Sequence, residues 1–155
     1  MSAAPLGVAV ADTSVLLAAF NRKDDLHAQG AEALSLARVL IVSPMVMTEL
    51  DHLLARRAGE TEAVNAITRL GALAGQGFVV LPPADRRLYA DAEQLLRQYQ
   101  GHGLGLADAV NAVLAWRLQC PAILSFDHHY RDVLAPPKGP RIEVFPEAPV
   151  RSTRP

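Results

Sequence analysis

Val8-Ala9-Val10-Ala11-Asp12-Thr13-Ser14-Val15-Leu16-Leu17-Ala18-Ala19-Phe20 is the stretch that decides the fold. Its first four residues are uniformly apolar and small or β-branched, the pattern of a strand buried in a parallel sheet. Thr13 and Ser14 carry short polar side chains suited to capping a helix, and Val15 to Phe20 supply that helix. The stretch therefore reads as strand, turn and helix, with Asp12 at the strand's carboxyl end. Ligands of open α/β sheets bind beyond such ends. A carboxylate placed there is costly to desolvate unless something offsets its charge.

Working outward, the alternation continues. Further strands are predicted at Val39 to Val42, Phe78 to Leu81, Ala122 to Ser125 and Ile142 to Phe145. Between them, helical spacing covers Leu26 to Arg38, with Leu26, Ala33, Leu34 and Ala37 near one face. A helix opened by Pro44 runs to Arg57 and turns Val46, Leu50, Leu53 and Leu54 inward. Gly59 ends it. Glu60 to Ala74 turns Val64, Ile67 and Leu70 inward, with Gly75 or Gly77 as a stop. Ala84 to Gln100 has the clearest stripe, Leu88, Ala92, Leu95, Leu96 and Tyr99, with Arg87/Asp91 and Glu93/Arg97 as i,i+4 charge pairs on its wetter side. Leu106 to Gln119 is an alanine-dense helix. Strands alternating with helices imply an α/β fold, a central, mostly parallel sheet of four to five strands flanked by helices. Residues 1–146 form one domain, and 147–155, rich in Pro and Arg, are expected to be a loose tail.

The chain has 155 residues and a formal net charge of −1, so it carries no bulk electrostatic footprint for nucleic acid, and any such contact needs local basic clusters. Half of it is hydrophobic and little of it aromatic, with alanine and leucine dominant, which favours helices over an all-β fold. One cysteine, Cys120, forms no internal disulfide and suits a reducing compartment. No signal-peptide pattern and no membrane-spanning run stand out. The cytoplasm is the expected location.

Four acids occupy corresponding places in this frame. Asp12 follows the first strand, Glu49 lies in the helix after the second, Asp108 sits in the first turn of the helix after Gly101–Gly105, and Asp127 follows the fourth strand. Taken singly they are ordinary: a cap, a surface acid at the border of an apolar face, a helix-start acid favoured by the macrodipole, and a turn residue. Together they point to one cleft. Clustered carboxylates do not all stay ionised at neutral pH without a cation, and oxygen ligands suit hard ions such as Mg²⁺ or Mn²⁺. Such a site clamps a phosphodiester and activates water. Thr13, Ser14, Asn111 and Ser125 stand close enough in sequence or helical register to support the carboxylates.

The pieces Ala11-Asp12-Thr13-Ser14-Val15-Leu16-Leu17, Thr48-Glu49-Leu50, Leu106-Ala107-Asp108-Ala109-Val110 and Leu124-Ser125-Phe126-Asp127-His128-His129-Tyr130, in this order, resemble the PIN domain, and within it the VapC-type toxins of bacterial toxin–antitoxin pairs. The resemblance spans about Val8 to Phe145. It implies a Mg²⁺- or Mn²⁺-dependent ribonuclease in which Asp12, Glu49, Asp108 and Asp127 form the acidic cluster. Thr13 or Ser14 then matches the hydroxyl beside the first acid, and Ser125 the one before the last. It also implies an RNA substrate, a small cognate antitoxin that blocks the cleft, and a homodimer, for which apolar helix faces near Leu34 to Leu54 are candidates. Tyr130 stands where the last motif often has Phe, Ser125 where it often has Thr, and His128-His129 is unusual there.

Other features carry less. His128 and His129 read first as loop histidines, with general base or extra ligand as the alternatives. Gly101-x-Gly-x-Gly105 lacks a P-loop lysine and follows a helix, which excludes a nucleotide-binding loop. Arg22-Lys23, Arg56-Arg57, Arg86-Arg87, Arg131 and Arg141 are scattered basics, some placed to ring the cleft and orient an RNA backbone. The rival functions are a non-catalytic binding module with the same fold and a phosphotransfer domain with Asp12 as nucleophile. The second lacks the further Asp that haloacid-dehalogenase-type phosphatases carry two residues on, where Ser14 stands.

Overall fold

β1 (Leu6–Ala11) lies at the centre of a five-stranded sheet of order β3-β2-β1-β4-β5, in which every neighbouring pair is parallel. The other strands are β2 (Ala37–Ile41), β3 (Val79–Val80), β4 (Ala122–Leu124) and β5 (Glu143–Phe145). The computed structural model describes residues 6–119, 122–132 and 141–146. The expected loose tail and Cys120 lie outside the described residues. The helices are α1 (Thr13–Phe20), α2 (His27–Ser35), α3 (Pro44–Arg57), α4 (Glu60–Gly75), α5 (Arg86–Gln98), α6 (Leu106–Arg117) and the single turn α7 (His129–Asp132). No helix among the described residues is long and apolar enough to cross a membrane.

Strand alternation divides the core into two layers. Ala9, Ala11, Leu40, Val42 and Leu124 face one layer with α1, α3 and α4. Val10, Ile41 and Ile123 face the other with α5 and α6. After β1 the chain turns to β2 and β3 on one side, then returns to β4 on the other. The crevice beyond β1 and β4 is thus a topological switch point, where such sheets bind ligands. The pairings Val10↔Ile123 and Ala11↔Leu124, and the bond from Asp12 N–H to the Leu124 carbonyl at 2.9 Å, bring Asp12 level with Ser125.

α6 runs through the interior with Ala109 to Ala115 buried, so its small residues let it lie close to the sheet. Gly30 performs the same service between α1 and α2. A Cβ there would stand 2.9 Å from Ala19 N and 3.0 Å from Val15 O, backbone atoms that cannot yield cheaply.

Several expectations are corrected. The helix predicted at Leu26 to Arg38 stops at Ser35, because parallel pairing with β1 draws Ala37 and Val39 into β2, and Leu26 is exposed. On α4, Ala63, Ala66 and Leu70 face inward while Val64 is exposed, since the close packing of α3 on α4 selects small residues. The pair Glu93/Arg97 forms, but Asp91 binds Arg117 of α6 at 2.6 Å instead of Arg87. Thr13 and Ser14 do not cap α1; Asp12 occupies the N-cap position, without a side-chain cap bond.

Candidate metal centre

Asp12 is the floor of the site. Its side chain is 4% exposed and receives four donors. Oδ2 accepts from Ser14 Oγ at 2.9 Å and Ser125 Oγ at 2.7 Å. Oδ1 accepts from Asn111 Nδ2 at 3.3 Å and from Tyr130 Oη at 3.2 Å. The serines are held in turn by backbone, Phe126 N–H donating to Ser14 Oγ and Asp127 N–H to Ser125 Oγ. Both hydroxyl protons are therefore available for Asp12, and the charge is fixed by a scaffold from α1, α6, α7 and the β4 loop.

Asp108 comes from the first turn of α6. Its Oδ2 accepts the Gly105 N–H at 3.1 Å, closing the helix start, and its Oδ1 accepts from Tyr130 Oη at 3.2 Å. Burial pushes its carboxyl up to about 6; the Gly105 N–H opposes this, and the charges of Asp12 and Asp127 add to it. Asp127 follows β4, with Oδ1 accepting the His129 backbone N–H at 2.9 Å. One carboxylate oxygen from each of Asp12, Asp108 and Asp127 lies within 4.8 Å of the others. All the donors are oxygens, the set a hard divalent cation takes.

Glu49 stands apart. It lines the same cavity of about 920 Å³ but is exposed, not at the border of an apolar face as its sequence neighbours suggest, and it is not part of the close group. It reaches the shared space from α3. Around the acids the wall is mixed, with apolar Leu26, Leu53, Tyr89 and Leu106 beside polar Thr48, His52 and Arg57.

The supporting residues sort unevenly. Ser14, Ser125 and Asn111 all touch Asp12. Thr13 lines the cavity, but its Oγ1 is buried without a hydrogen-bond partner and does not bind Asp12. Sequence reasoning missed Tyr130. Only 1% exposed, it bridges Asp12 and Asp108 through one hydroxyl and accepts from Asn111 Nδ2 at 3.1 Å. Burial, then the two carboxylates, raise its phenol well above the ordinary value, so it stays a donor. The signal was its place in the last motif, where a hydroxyl had replaced a plain ring.

His129 lies beside this group, with Nδ1 2.8 Å from Asp127 Oδ1. That carboxylate raises the imidazole above its ordinary value, against the pull of burial. Of the scattered basic residues, Arg57 lines the cavity of the acids; Arg22 and Lys23 join it around an adjoining hollow of about 420 Å³. The large exposed apolar residues among those described include Val64, Phe78, Val80 and Leu81, and none falls within residues 34–54, where a dimer face was expected.

Known proteins are similar to this chain in sequence and in fold. Residues 9–134 match the model of the PIN domain. The chain is 38% identical over 138 residues to Ribonuclease VapC26 of Mycobacterium tuberculosis (strain ATCC 25618 / H37Rv), a match covering 88% of this chain and 99% of that protein. Its fold is similar to the crystal structure of Mycobacterium tuberculosis VapC20, described as a sarcin-ricin loop cleaving toxin, with a TM-score of 0.69 at 22% identity over 79% of this chain and 91% of that one.

Proposed function

This chain belongs to the PIN domain family, and from that premise we propose that it is a divalent-cation-dependent endoribonuclease, the toxin of a VapC-type toxin–antitoxin pair. The observation that carries the proposal is the convergence of Asp12, Asp108 and Asp127, from three separate elements, to within 4.8 Å at the switch point of the sheet. A relative that aligns over nearly its whole length is named a ribonuclease, which supports RNA as the substrate class.

Asp12, Asp108 and Asp127 would hold Mg²⁺ or Mn²⁺. When bound, the ion supplies charge neutralisation at the phosphoryl group and lowers the pKa of water. The chain's own residues do the rest. Ser14, Ser125, Asn111 and Tyr130 keep Asp12 in place by donating to it. Gly105 and Tyr130 orient Asp108. Glu49, across the cavity, is assigned to accept the proton of the attacking water; its exposure lets it exchange that proton with solvent. Arg57 is assigned to the phosphate backbone, which orients the strand without reading its sequence.

A small cognate antitoxin is the proposed partner, covering the acids and using the apolar part of the wall, Leu26, Leu53, Leu106 and Tyr89. Homodimerisation and a cytoplasmic location complete the reading. The test is cleavage of tRNA, rRNA and mRNA pools by purified protein with Mg²⁺ or Mn²⁺. Activity is expected to vanish with EDTA and with Asp108→Asn. Cleavage that survives both sinks the mechanism, and no cleavage of any pool by the unsubstituted protein favours a binding module.

A further inference from the structure

We propose that Asp127, His128 and His129 form a nitrogen-containing metal site beside the all-oxygen group, selective for a first-row transition cation such as Mn²⁺ or Co²⁺ over Mg²⁺. The proposal rests on the reading of the acids as a metal centre, because that reading brings divalent cations to Asp127. The three residues each offer one ligand atom, all within 4.8 Å of one another.

The decisive atom is His129 Nδ1. It is buried and finds no directed hydrogen bond, although Asp127 Oδ1 stands only 2.8 Å away. An ordinary His–Asp ion pair aims its N–H at the carboxylate. Here the two atoms sit side by side instead. Two ligand atoms of a common ion also stand this close without one donating to the other. His128 Nδ1 is 3.9 Å from the same oxygen, and the two rings lie 4.8 Å apart. Ligand atoms about 2.1 Å from one ion are about 3 Å apart at adjacent octahedral corners and about 4.2 Å apart at opposite ones. The observed 2.8 and 3.9 Å fit that range to within a few tenths of an ångström.

The turn is itself braced. Asp127 Oδ1 accepts the His129 backbone N–H at 2.9 Å, and Asp127 N–H donates to Ser125 Oγ at 2.8 Å. His128 is largely exposed and supplies the outward ligand. Imidazole nitrogen suits first-row transition cations such as Fe²⁺, Ni²⁺ and Zn²⁺, and Mn²⁺ takes it in mixed nitrogen–oxygen sets, whereas Mg²⁺ prefers oxygen and keeps its waters. The shared carboxylate gives the two sites a common wall while their ligand chemistry differs.

The probe is Mn²⁺ added to the EDTA-stripped full chain, read by electron spin-echo modulation from nitrogen, with Mg²⁺ binding followed by calorimetry. Nitrogen coupling is expected in the unsubstituted protein and lost in His129→Ala. That variant should lose about tenfold or more in Mn²⁺ affinity, while its Mg²⁺ affinity and melting temperature stay close to the original. Absence of nitrogen coupling in the unsubstituted protein overturns the site. So does a parallel fall of Mg²⁺ and Mn²⁺ affinity in His129→Ala. A protein that shows the nitrogen signal yet fails to bind Mg²⁺ supports the nitrogen site and removes the oxygen-site reading, so the two failures are told apart.

Discussion

Asp12 and Glu49 face the same cavity from opposite conditions. Asp12 is buried under four donors contributed by three helices and a loop, while Glu49 is exposed on α3. A buried charge is kept only where it is paired or hydrogen-bonded, so the scaffold around Asp12 marks a carboxylate fixed for one task. An exposed carboxylate is cheap to hold and free to exchange protons. The difference teaches that four acids at equivalent topological places are not four equivalent ligands. Asp12→Asn breaks the floor most severely. Cation binding and RNA cleavage are expected to fall on the order of 10³-fold, since loss of the ion removes several kcal/mol of transition-state stabilisation. The fold should survive, because the Ser14 and Ser125 hydroxyls can rotate to accept from the new amide. A cleavage assay beside a thermal melt checks both halves.

The floor also predicts a pH dependence. Asp108 is raised from 3.8 to about 6 in the folded, ion-free protein, by burial first. Between those values the folded chain binds more protons than the unfolded one. Its stability therefore falls as pH rises from about 4 to about 6, as far as this group decides it. A cation favours ionised Asp108, so its binding displaces a proton in the same window. Its affinity should rise by up to about tenfold per pH unit below 6 and level off above. Calorimetry in buffers of different ionisation enthalpy would count the proton; affinity flat from pH 4 to 6 would break the assignment.

Ser125→Ala removes the shortest bond to Asp12, 2.7 Å, and also the acceptor of Asp127 N–H. It should lower cation affinity about 10- to 100-fold, whereas Thr13→Ala should change it little, since Thr13 Oγ1 makes no bond to the acid. Equal losses in the two variants would show that the hydroxyls act through packing alone.

That contrast also marks how far the sequence could be read. The buried first strand and the ends of β1 and β4 were legible because a continuous run of small or β-branched apolar residues is a local signal, whereas the division of Ala9 and Ala11 from Val10 between the two layers came from the structure. The convergence of Asp12, Asp108 and Asp127 followed from topology. Which of Thr13 and Ser14 touches Asp12 depends on the rotation of α1 against β4, which no local pattern carries. Tyr130 bonds two acids only because α7 folds back under α6. Asp91 chooses Arg117 over its own helix neighbour for the same long-range reason. On α4, apolar size pointed to Val64, but close packing admitted Ala63 and Ala66.

Glu49→Gln gives the smallest effect on cation affinity among the carboxylate substitutions and tests the rim most sharply. Glu49 is outside the close group of acids, so cation affinity should change less than about twofold, within the range left by losing a screened, exposed charge. If Glu49 takes the proton from the attacking water, the cleavage rate falls by about 10²-fold, the low end for a general base, while substrate affinity holds. The glutamine keeps the shape and the cavity but cannot accept that proton at neutral pH. A rate loss without an affinity loss separates proton transfer at the rim from charge holding at the floor. A matching fall in cation affinity would instead move Glu49 into the ligand set, and the division between floor and rim would collapse into a single four-acid site.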